Sequence, residues 1–286
     1  TWSAFADFTY DFTDQLSLSL GGRFTNDTRN STVLRQTKLG TSAEFGGNPT
    51  ILATTSNFVG SADWKKFTPR ASLSYKPNDD HMVYASYSQG FKGGGFDPRG
   101  LTSACRTPSG GVCNADQVYD FMSFEPEQVN SYELGWKGSF ADNRIRMALT
   151  GFYADYKDVQ IPGSAGYDAN NDGVNDTFIG ITTNAAKARM KGIEFEGFAN
   201  LARDFAGDGS RINLSTTLGY IDGEYRSFIN NFGVDVADYR YLQNTPKWTA
   251  SGTLTGIFPV GGGEINASTT LAYRSKTHQF EFANPY

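Results

Sequence analysis

Apolar and polar residues alternate along ten stretches of this chain, each of about ten to thirteen residues. Strict alternation places successive side chains on opposite faces of an extended strand, so each stretch is predicted to be a β-strand. In the clearest case Leu16, Leu18 and Leu20 share one face, and Ser17 and Ser19 share the other. The predicted strands are residues 2–12, 15–26, 64–76, 82–93, 128–140, 144–156, 188–201, 211–224, 246–258 and 264–276.

The links between the predicted strands alternate between short and long. The short links contain Pro, Asn, Asp and Gly, which favour tight turns. The long links cover about residues 27–63, 94–127, 157–187 and 225–245. This pattern predicts an all-β, antiparallel, up-and-down sheet, and it is typical of outer-membrane β-barrels, whose short turns face the periplasm. Function is expected in the long loops that such a scaffold presents.

The two faces of the strands indicate which side meets lipid. Aromatic residues stand near both ends of the apolar face, as with Tyr75 and Phe140 at one end and Phe24 and Tyr153 at the other. Two aromatic girdles around an aliphatic band match the interfaces and core of a bilayer. A watery lumen accepts the charged polar face, which would be costly to bury in a soluble core. That face carries Asp7, Arg23, Arg70, Glu133, Lys137, Arg146, Glu194, Glu196, Arg211 and Arg274.

The composition of the chain excludes one class of membrane protein and argues against one class of partner. No run approaches 18 apolar residues and the mean hydropathy is −0.44, so a spanning helix is excluded, whereas a barrel needs only every second residue to be apolar. The net charge of −5 argues against a nucleic-acid partner. The first residues, TWSAFADF, already read as strand, so we expect the chain to begin inside a sheet and not with a signal peptide.

Four segments resemble the TonB-dependent outer-membrane receptors. They are YASYSQGFKGGGFDPRG (84–100), SFEPEQVNSYELGWKGSF (123–140), RIRMALTGFYADYKDVQI (144–161) and ARMKGIEFEGFANL (188–201). In such receptors a Pro-Glu pair precedes a Tyr-Glu-Leu-Gly strand, and the matching residues here are Pro126, Glu127, Tyr132, Glu133, Leu134 and Gly135. The resemblance covers most of the chain.

This resemblance implies a receptor in the outer membrane of a Gram-negative bacterium. It implies a 22-stranded barrel filled by an N-terminal plug, and import of a scarce ligand of the siderophore, cobalamin or glycan class, driven by the TonB complex. We therefore expect residues 1–286 to be about ten strands of one such barrel domain. The plug, the flanking strands and the N-terminal region that contacts TonB are expected to be absent from the chain.

Two other functions remain open on the sequence. A passive porin or a substrate-specific diffusion channel would share the barrel but lack the plug and the energy coupling. A membrane-embedded enzyme would need a catalytic set at the upper rim, and we expect no enzyme here. His81 falls in a predicted periplasmic turn and His278 near the outer rim, which is no catalytic constellation.

One long loop resembles a calcium-binding loop. Oxygen ligands occur at positions 1, 3, 5, 7 and 9, and Gly173 stands at position 6. Position 12 is Ile179 where an EF-hand has Glu, and no helices flank the loop, so a solvated Asn/Asp/Gly loop is the alternative. The candidate Ca²⁺ ligands are Asp168, Asn170, Asp172, the carbonyl of Val174, and Asp176, and no other cofactor is predicted.

Another long loop contains Cys105 and Cys113, which are the only cysteines of the chain. Outside the cell they are expected to form a local disulfide, since no His lies nearby in sequence to complete a metal site.

Ligand contact is expected from aromatic and charged residues at the outer end. Aromatic side chains with a few polar groups suit siderophores, cobalamin and sugars alike. Loop packing and girdle anchoring are the alternative roles. The candidates are Lys92, Phe96, Arg99, Tyr119, Tyr167, Arg226, Tyr239, Arg240 and Tyr241.

Overall fold

In the computed structural model, ten long strands form one antiparallel sheet, as the alternation predicts. The structure describes residues 1–39, 50–107, 110–167, 177–230 and 233–282. The strands are β1 (Trp2–Asp11), β2 (Leu16–Leu39), β3 (Thr50–Asn78), β4 (His81–Lys92), β5 (Gly95–Phe96), β6 (Ser123–Phe124), β7 (Glu127–Phe140), β8 (Ile145–Tyr167), β9 (Thr177–Arg203), β10 (Arg211–Phe228), β11 (Trp248–Val260) and β12 (Gly263–Arg274). The two-residue strands β5 and β6 pair only with each other, so β4 pairs with β7 and every other long strand pairs with its neighbours in sequence. Within the described residues the outermost strands, β1 and β12, each have one partner.

Two of the four predicted long loops are wrong in extent. β2 and β3 stay paired from Leu16 opposite Tyr75 to Leu39 opposite Thr50, so most of 27–63 is strand. β8 and β9 likewise stay paired as far as Tyr167 opposite Thr177. Beyond the apolar band the strict alternation of apolar and polar residues fades, although the backbone ladder continues. Thr and Val side chains in this part still favour extended backbone.

The apolar side chains of the long strands are exposed, as expected for a face that meets lipid. Leu271 is 82% exposed, Leu134 63% and Ile193 53%. Toward the long loops the ring of Tyr132 lies between those of Tyr87 and Tyr153, with centroids 5.1 and 6.3 Å away. These rings lie on one side of three adjacent strands, which is the arrangement of an aromatic girdle.

The opposite end of this face has a second aromatic group, and His81 belongs to it. The structure places His81 at the first position of β4 and not in the turn that the sequence suggested. Its ring lies 5.9 Å from Trp136 and 5.1 Å from Phe140. His81 is therefore packed among the rings at the short-turn end of the sheet.

A short helix, α1 (Ala115–Met122), lies in the loop between β4 and β7, where none was predicted. Asn114 accepts a hydrogen bond from the backbone of Gln117, and the Gln117 side chain accepts one from the backbone of Asn114. This capping box, Asn-x-x-Gln, was readable in the sequence. No helix in the described part of the chain is long and apolar enough to cross a membrane.

Candidate functional site

The described part of the loop between β4 and β7 folds into a compact unit, residues 93–107 and 110–126, which we call the brace. Its Phe96 and Met122 pack with Val33 of β2 and Phe58 of β3 in a buried apolar cluster. Met122 is fully buried, and the centroids of Phe58 and Phe96 are 5.2 Å apart. Burying these side chains ties the brace to the first extended hairpin.

Polar contacts hold the brace to β3 as well. The hydroxyl of Tyr119 donates to the carbonyl oxygen of Ser61 at 3.0 Å. The indole nitrogen of Trp64 donates to Oε2 of Glu125 at 3.0 Å. Burial raises the pKa of the Tyr119 phenol, and the nearby Glu125 and Asp120 add to this rise, so Tyr119 acts here as a neutral donor.

A buried carboxylate joins the brace to β9. Asp97 is 1% exposed, and it accepts hydrogen bonds from Nη2 of Arg99 at 2.7 Å and from the Thr182 hydroxyl of β9 at 2.8 Å. Burial alone would raise the pKa of Asp97, but the hydrogen bonds from Arg99 and Thr182 hold it below its usual value. Arg35 of β2 donates to the carbonyl oxygen of Arg99 at 2.7 Å, so the Asp97–Arg99 ion pair links the β2–β3 hairpin to the β8–β9 hairpin.

Two amide side chains of the β8–β9 hairpin also bind the brace. Gln160 of β8 donates to the carbonyl oxygens of Gly93 at 2.9 Å and Glu125 at 3.1 Å. Asn184 of β9 donates to the Glu125 carbonyl at 2.7 Å and accepts from the Glu125 backbone nitrogen at 2.7 Å. The brace therefore spans from the β2–β3 hairpin to the β8–β9 hairpin through paired polar groups.

A disulfide joins Cys105 and Cys113 within the brace, with their Cα atoms 5.6 Å apart. Replacing both cysteines with serine is expected to loosen this loop by about 2–3 kcal/mol, because a short closed loop limits the disordered states of the chain. Proteolysis between the two positions should then become faster, while the sheet stays intact. Equal protease resistance of the native and double-serine proteins would contradict this prediction.

A cleft of about 780 Å³ lies at the same end of the sheet, between β10 and two segments: residues 237–247, which precede β11, and residues 275–282, which follow β12. Backbone bonds join these two segments, from Tyr241 to Glu281 at 2.7 Å and from Asn244 to His278 at 2.9 Å. The side chains that line the cleft include Asp222, Glu224, Tyr225, Arg226, Asp238, Arg240, Tyr241, Leu242, Lys247, Lys276 and His278. It thus combines aromatic rings with a surplus of cations.

Aromatic rings and a cation contact one another at this cleft. The rings of Tyr241 and His278 stack with centroids 4.0 Å apart and planes 7° from parallel. The guanidinium of Arg240 lies 5.1 Å from the ring centre of Phe228 and 5.7 Å from that of Phe282. Burial raises the pKa of Glu281, and the positive charge of Arg240 opposes this rise. The stacked rings of Tyr241 and His278 and the guanidinium of Arg240 therefore line the cleft, where a ligand could contact them.

The nine residues predicted to contact ligand do not come together in one site. Arg226, Arg240 and Tyr241 line the cleft, and Tyr239, 76% exposed, stands in the adjoining short helical turn. Phe96 and Tyr119 join the brace to the β2–β3 hairpin, and Arg99 pairs with Asp97 where the brace meets β9. Lys92 ends β4, and Tyr167 ends β8, with the side chain of Tyr167 outside the described residues. The structure thus divides the candidates into two sets. Phe96, Arg99 and Tyr119 stabilise the brace, whereas Arg226, Arg240 and Tyr241 line the open cleft.

Sequence reasoning missed Lys247, Lys276 and His278, which also line the cleft. Lys247 and Lys276 fall within predicted strands, near their ends, and His278 lies just beyond the last predicted strand. The position of Lys247 directly beside the link 225–245 was a signal that could have identified it, whereas Lys276 and His278 are distant from that link in sequence.

The proposed calcium ligands of residues 168–176 lie outside the described residues, so that site stays a prediction. Within the described ranges, no group of three or more His, Cys, Asp or Glu side chains is placed to hold a metal ion.

Comparison with known proteins gives the family. A family model described as "TonB dependent receptor-like, beta-barrel" matches residues 1–286. The pesticin receptor of Yersinia enterocolitica is 26% identical over 257 residues, which is 86% of this chain and 32% of that protein.

Solved structures give the same fold. The ferric yersiniabactin uptake receptor FyuA from Yersinia pestis superposes with a TM-score of 0.62 at 20% identity, over 94% of this chain and 33% of that one. The siderophore receptor PiuA from Acinetobacter baumannii gives a TM-score of 0.59 at 18% identity, over 98% and 34%. The chain spans about a third of the length of the relatives that it matches.

Proposed function

Because this chain belongs to the TonB-dependent receptors, as part of their outer-membrane β-barrel, we propose that it contributes the ligand-binding mouth of an uptake receptor. The ligand is a scarce iron chelate of the siderophore class, bound at the cleft and imported with energy transmitted by TonB. The observation that carries this proposal is the cleft, where Arg226, Arg240 and Tyr241 meet around about 780 Å³ of open volume. That volume suits a small molecule held by rings and a few polar groups. The names of the relatives, which include ferric-siderophore receptors, support the same class.

We also propose that the ten strands are part of one larger barrel of 22 strands, with a plug contributed by another part of the same protein. The one-sided pairing of β1 and β12 supports this, because lipid does not tolerate unpaired backbone groups at an open sheet edge. The length of the relatives, about three times that of this chain, is consistent with further strands.

Uptake of radioactive ⁵⁵Fe³⁺ as siderophore complexes, by cells that carry the full-length receptor, tests this function. Replacing Arg240 by alanine should weaken binding about tenfold, because arginine is a frequent anchor of binding surfaces and a tenfold change corresponds to about 1.4 kcal/mol. Arg211→Ala, at the opposite end of β10, is the matched control and should leave binding unchanged. Collapse of the proton gradient should stop uptake without stopping surface binding. Uptake that continues without the gradient would support a passive channel instead.

A further inference from the structure

The brace is attached to the two extended hairpins by different kinds of contact. On the β2–β3 side, its Phe96 and Met122 pack against Val33 and Phe58, and all four side chains are buried. Neither of the two buried apolar clusters found among the described residues joins the brace to β8 or β9. On that side the brace is held by hydrogen bonds from Gln160 and from residues of β9.

The brace fits closely against β3. A β-carbon at Gly94 of the brace would lie 2.6 Å from the ring of Trp64. A β-carbon at Gly60 of β3 would lie 2.5 Å from the ring of Phe58 and 2.8 Å from that of Phe96. Separating the brace from β3 would expose these apolar surfaces, and contacts with water would not compensate for the lost burial and packing.

The contact with the second hairpin can be exchanged for water more easily. We call this contact the polar seam, and it consists of Asp97 and Glu125 of the brace with Gln160, Thr182 and Asn184 of the hairpin. The three side chains of the hairpin are neutral, and Glu125 takes part through its backbone nitrogen and carbonyl oxygen. Because water can replace each of these hydrogen bonds, the net loss for each is small.

The one charged side chain of the polar seam has its counterion inside the brace. Oδ2 of Asp97 lies 2.7 Å from Nη2 of Arg99, and Oδ1 of Asp97 accepts from the backbone nitrogen of Arg99 at 2.8 Å. Both residues belong to the brace, so this ion pair would move with it. Separation from β9 would break the hydrogen bond from Thr182 to Asp97 but would leave no buried charge without its partner.

We propose that the brace is a strap hinged on the β2–β3 hairpin, which opens and closes at the polar seam as one folded unit. The apolar cluster keeps the brace on β2 and β3, while α1 and the disulfide hold its own structure together. Opening separates the brace from β9 and gives water access to Gln160, which is 7% exposed when the seam is closed. This movement does not depend on which ligand the receptor binds, so the inference goes beyond the proposed function.

Distances between two spin labels in the purified full-length receptor test the proposal. One label is attached at Asp120→Cys, an exposed position of α1. The second is attached either at Lys187→Cys on β9, across the polar seam, or at Val59→Cys on β3, across the apolar contact. Both of these second positions are exposed, so the labels do not disturb either contact.

The test variant is Thr182→Val/Asn184→Ala, which removes hydrogen bonds of the polar seam and leaves the apolar cluster unchanged. The matched control is Thr183→Val, which makes the first of these changes at the adjacent position, on the opposite face of β9. Each variant is measured with both pairs of labels. The control should leave both distances unchanged.

In the test variant, the pair of labels across the polar seam should show a longer distance, with a population about tenfold larger than in the native receptor. The pair that joins the brace to β3 should keep a single distance in both proteins. Longer distances for both pairs would mean that the whole brace detaches or unfolds. An unchanged distance across the seam would mean that the seam does not open, and either result would overturn the proposal.

Amide hydrogen exchange of the unsubstituted receptor gives a second test. The backbone nitrogen of Glu125 donates across the seam to the side chain of Asn184 at 2.7 Å, whereas that of Asp97 donates within the brace to the carbonyl oxygen of Met122 at 2.8 Å. Opening of the seam frees the first amide and not the second, so Glu125 should exchange about tenfold faster than Asp97 after correction for intrinsic rates. Equal corrected rates would show that the brace opens only by unfolding as a whole, contrary to the proposal.

Discussion

Replacing Gly192 by alanine is expected to cost the folded barrel about 3 kcal/mol or more. Gly192 lies in β9, and a β-carbon at this position would collide with the carbonyl oxygen of Tyr220 and would lie 2.8 Å from the ring of Phe152. The ring can turn, but the carbonyl belongs to the backbone of the neighbouring strand β10. The ladder between β9 and β10 would have to shift to make room.

The measurement is the fraction of full-length receptor that reaches the outer membrane folded, read from its heat-dependent electrophoretic mobility. Gly252→Ala on β11 is the matched control, since a β-carbon there would meet no atom within 4 Å. The two variants make the same chemical change in a strand of the same sheet. Equal folded fractions for both would show that the close approach at Gly192 is not a constraint.

The substitution Asp97→Asn is expected to release the brace from β9. The amide would keep the shape of the side chain but lose the charge that holds Arg99 and Thr182, and losing a buried charged hydrogen-bond partner costs about 2–4 kcal/mol. The solvent-exposed half of Arg99 places the effect toward the lower end of this range. Hydrogen exchange of residues 93–126 should accelerate by more than tenfold, whereas exchange in β7 should not change. Asp116→Asn, at an exposed position in the first turn of α1, is the control and should have a much smaller effect, since it removes only the interaction of a carboxylate with the helix N-terminus, about 0.3–1 kcal/mol.

Acid should reproduce the effect of this substitution. The pKa of Asp97 is lower in the folded protein than the ordinary value of an aspartate, because Arg99 and Thr182 donate to its charged form. Its contribution to stability is therefore present above about pH 4 and is lost as the pH falls through the lower, folded-state value. The native brace should loosen in that acidic range, and Asp97→Asn should show no such transition. An identical acid transition in the two proteins would show that protonation of a group other than Asp97 loosens the brace.

The strands that cross the apolar band were predictable because burial in lipid imposes a strict alternation, as at Leu16, Leu18 and Leu20. Beyond the band nothing apolar has to face outward, so the same strand β2 runs on to Leu39 without a pattern that marks it. The capping box at Asn114 was local and could have been read. The brace and the cleft could not, because both depend on side chains that are distant in sequence, such as Asp97 and Thr182, or Arg240 and Phe282.

The length of the β2–β3 hairpin has a consequence for recognition of the cell from outside. β2 has 24 residues, about 80 Å of extended chain, and a tilted strand needs only about ten or eleven residues to cross the membrane. Roughly a dozen residues of each strand therefore project beyond the aromatic girdle as a continuous ladder, supported on one side by the brace. We expect such a hairpin to be accessible to antibodies, and the pairing of Thr28 with Asp63 and of Gln36 with Thr54 defines the register that a short cyclic peptide would have to keep. Antibodies raised against a peptide that joins residues 28–36 to 54–63 should bind intact bacteria.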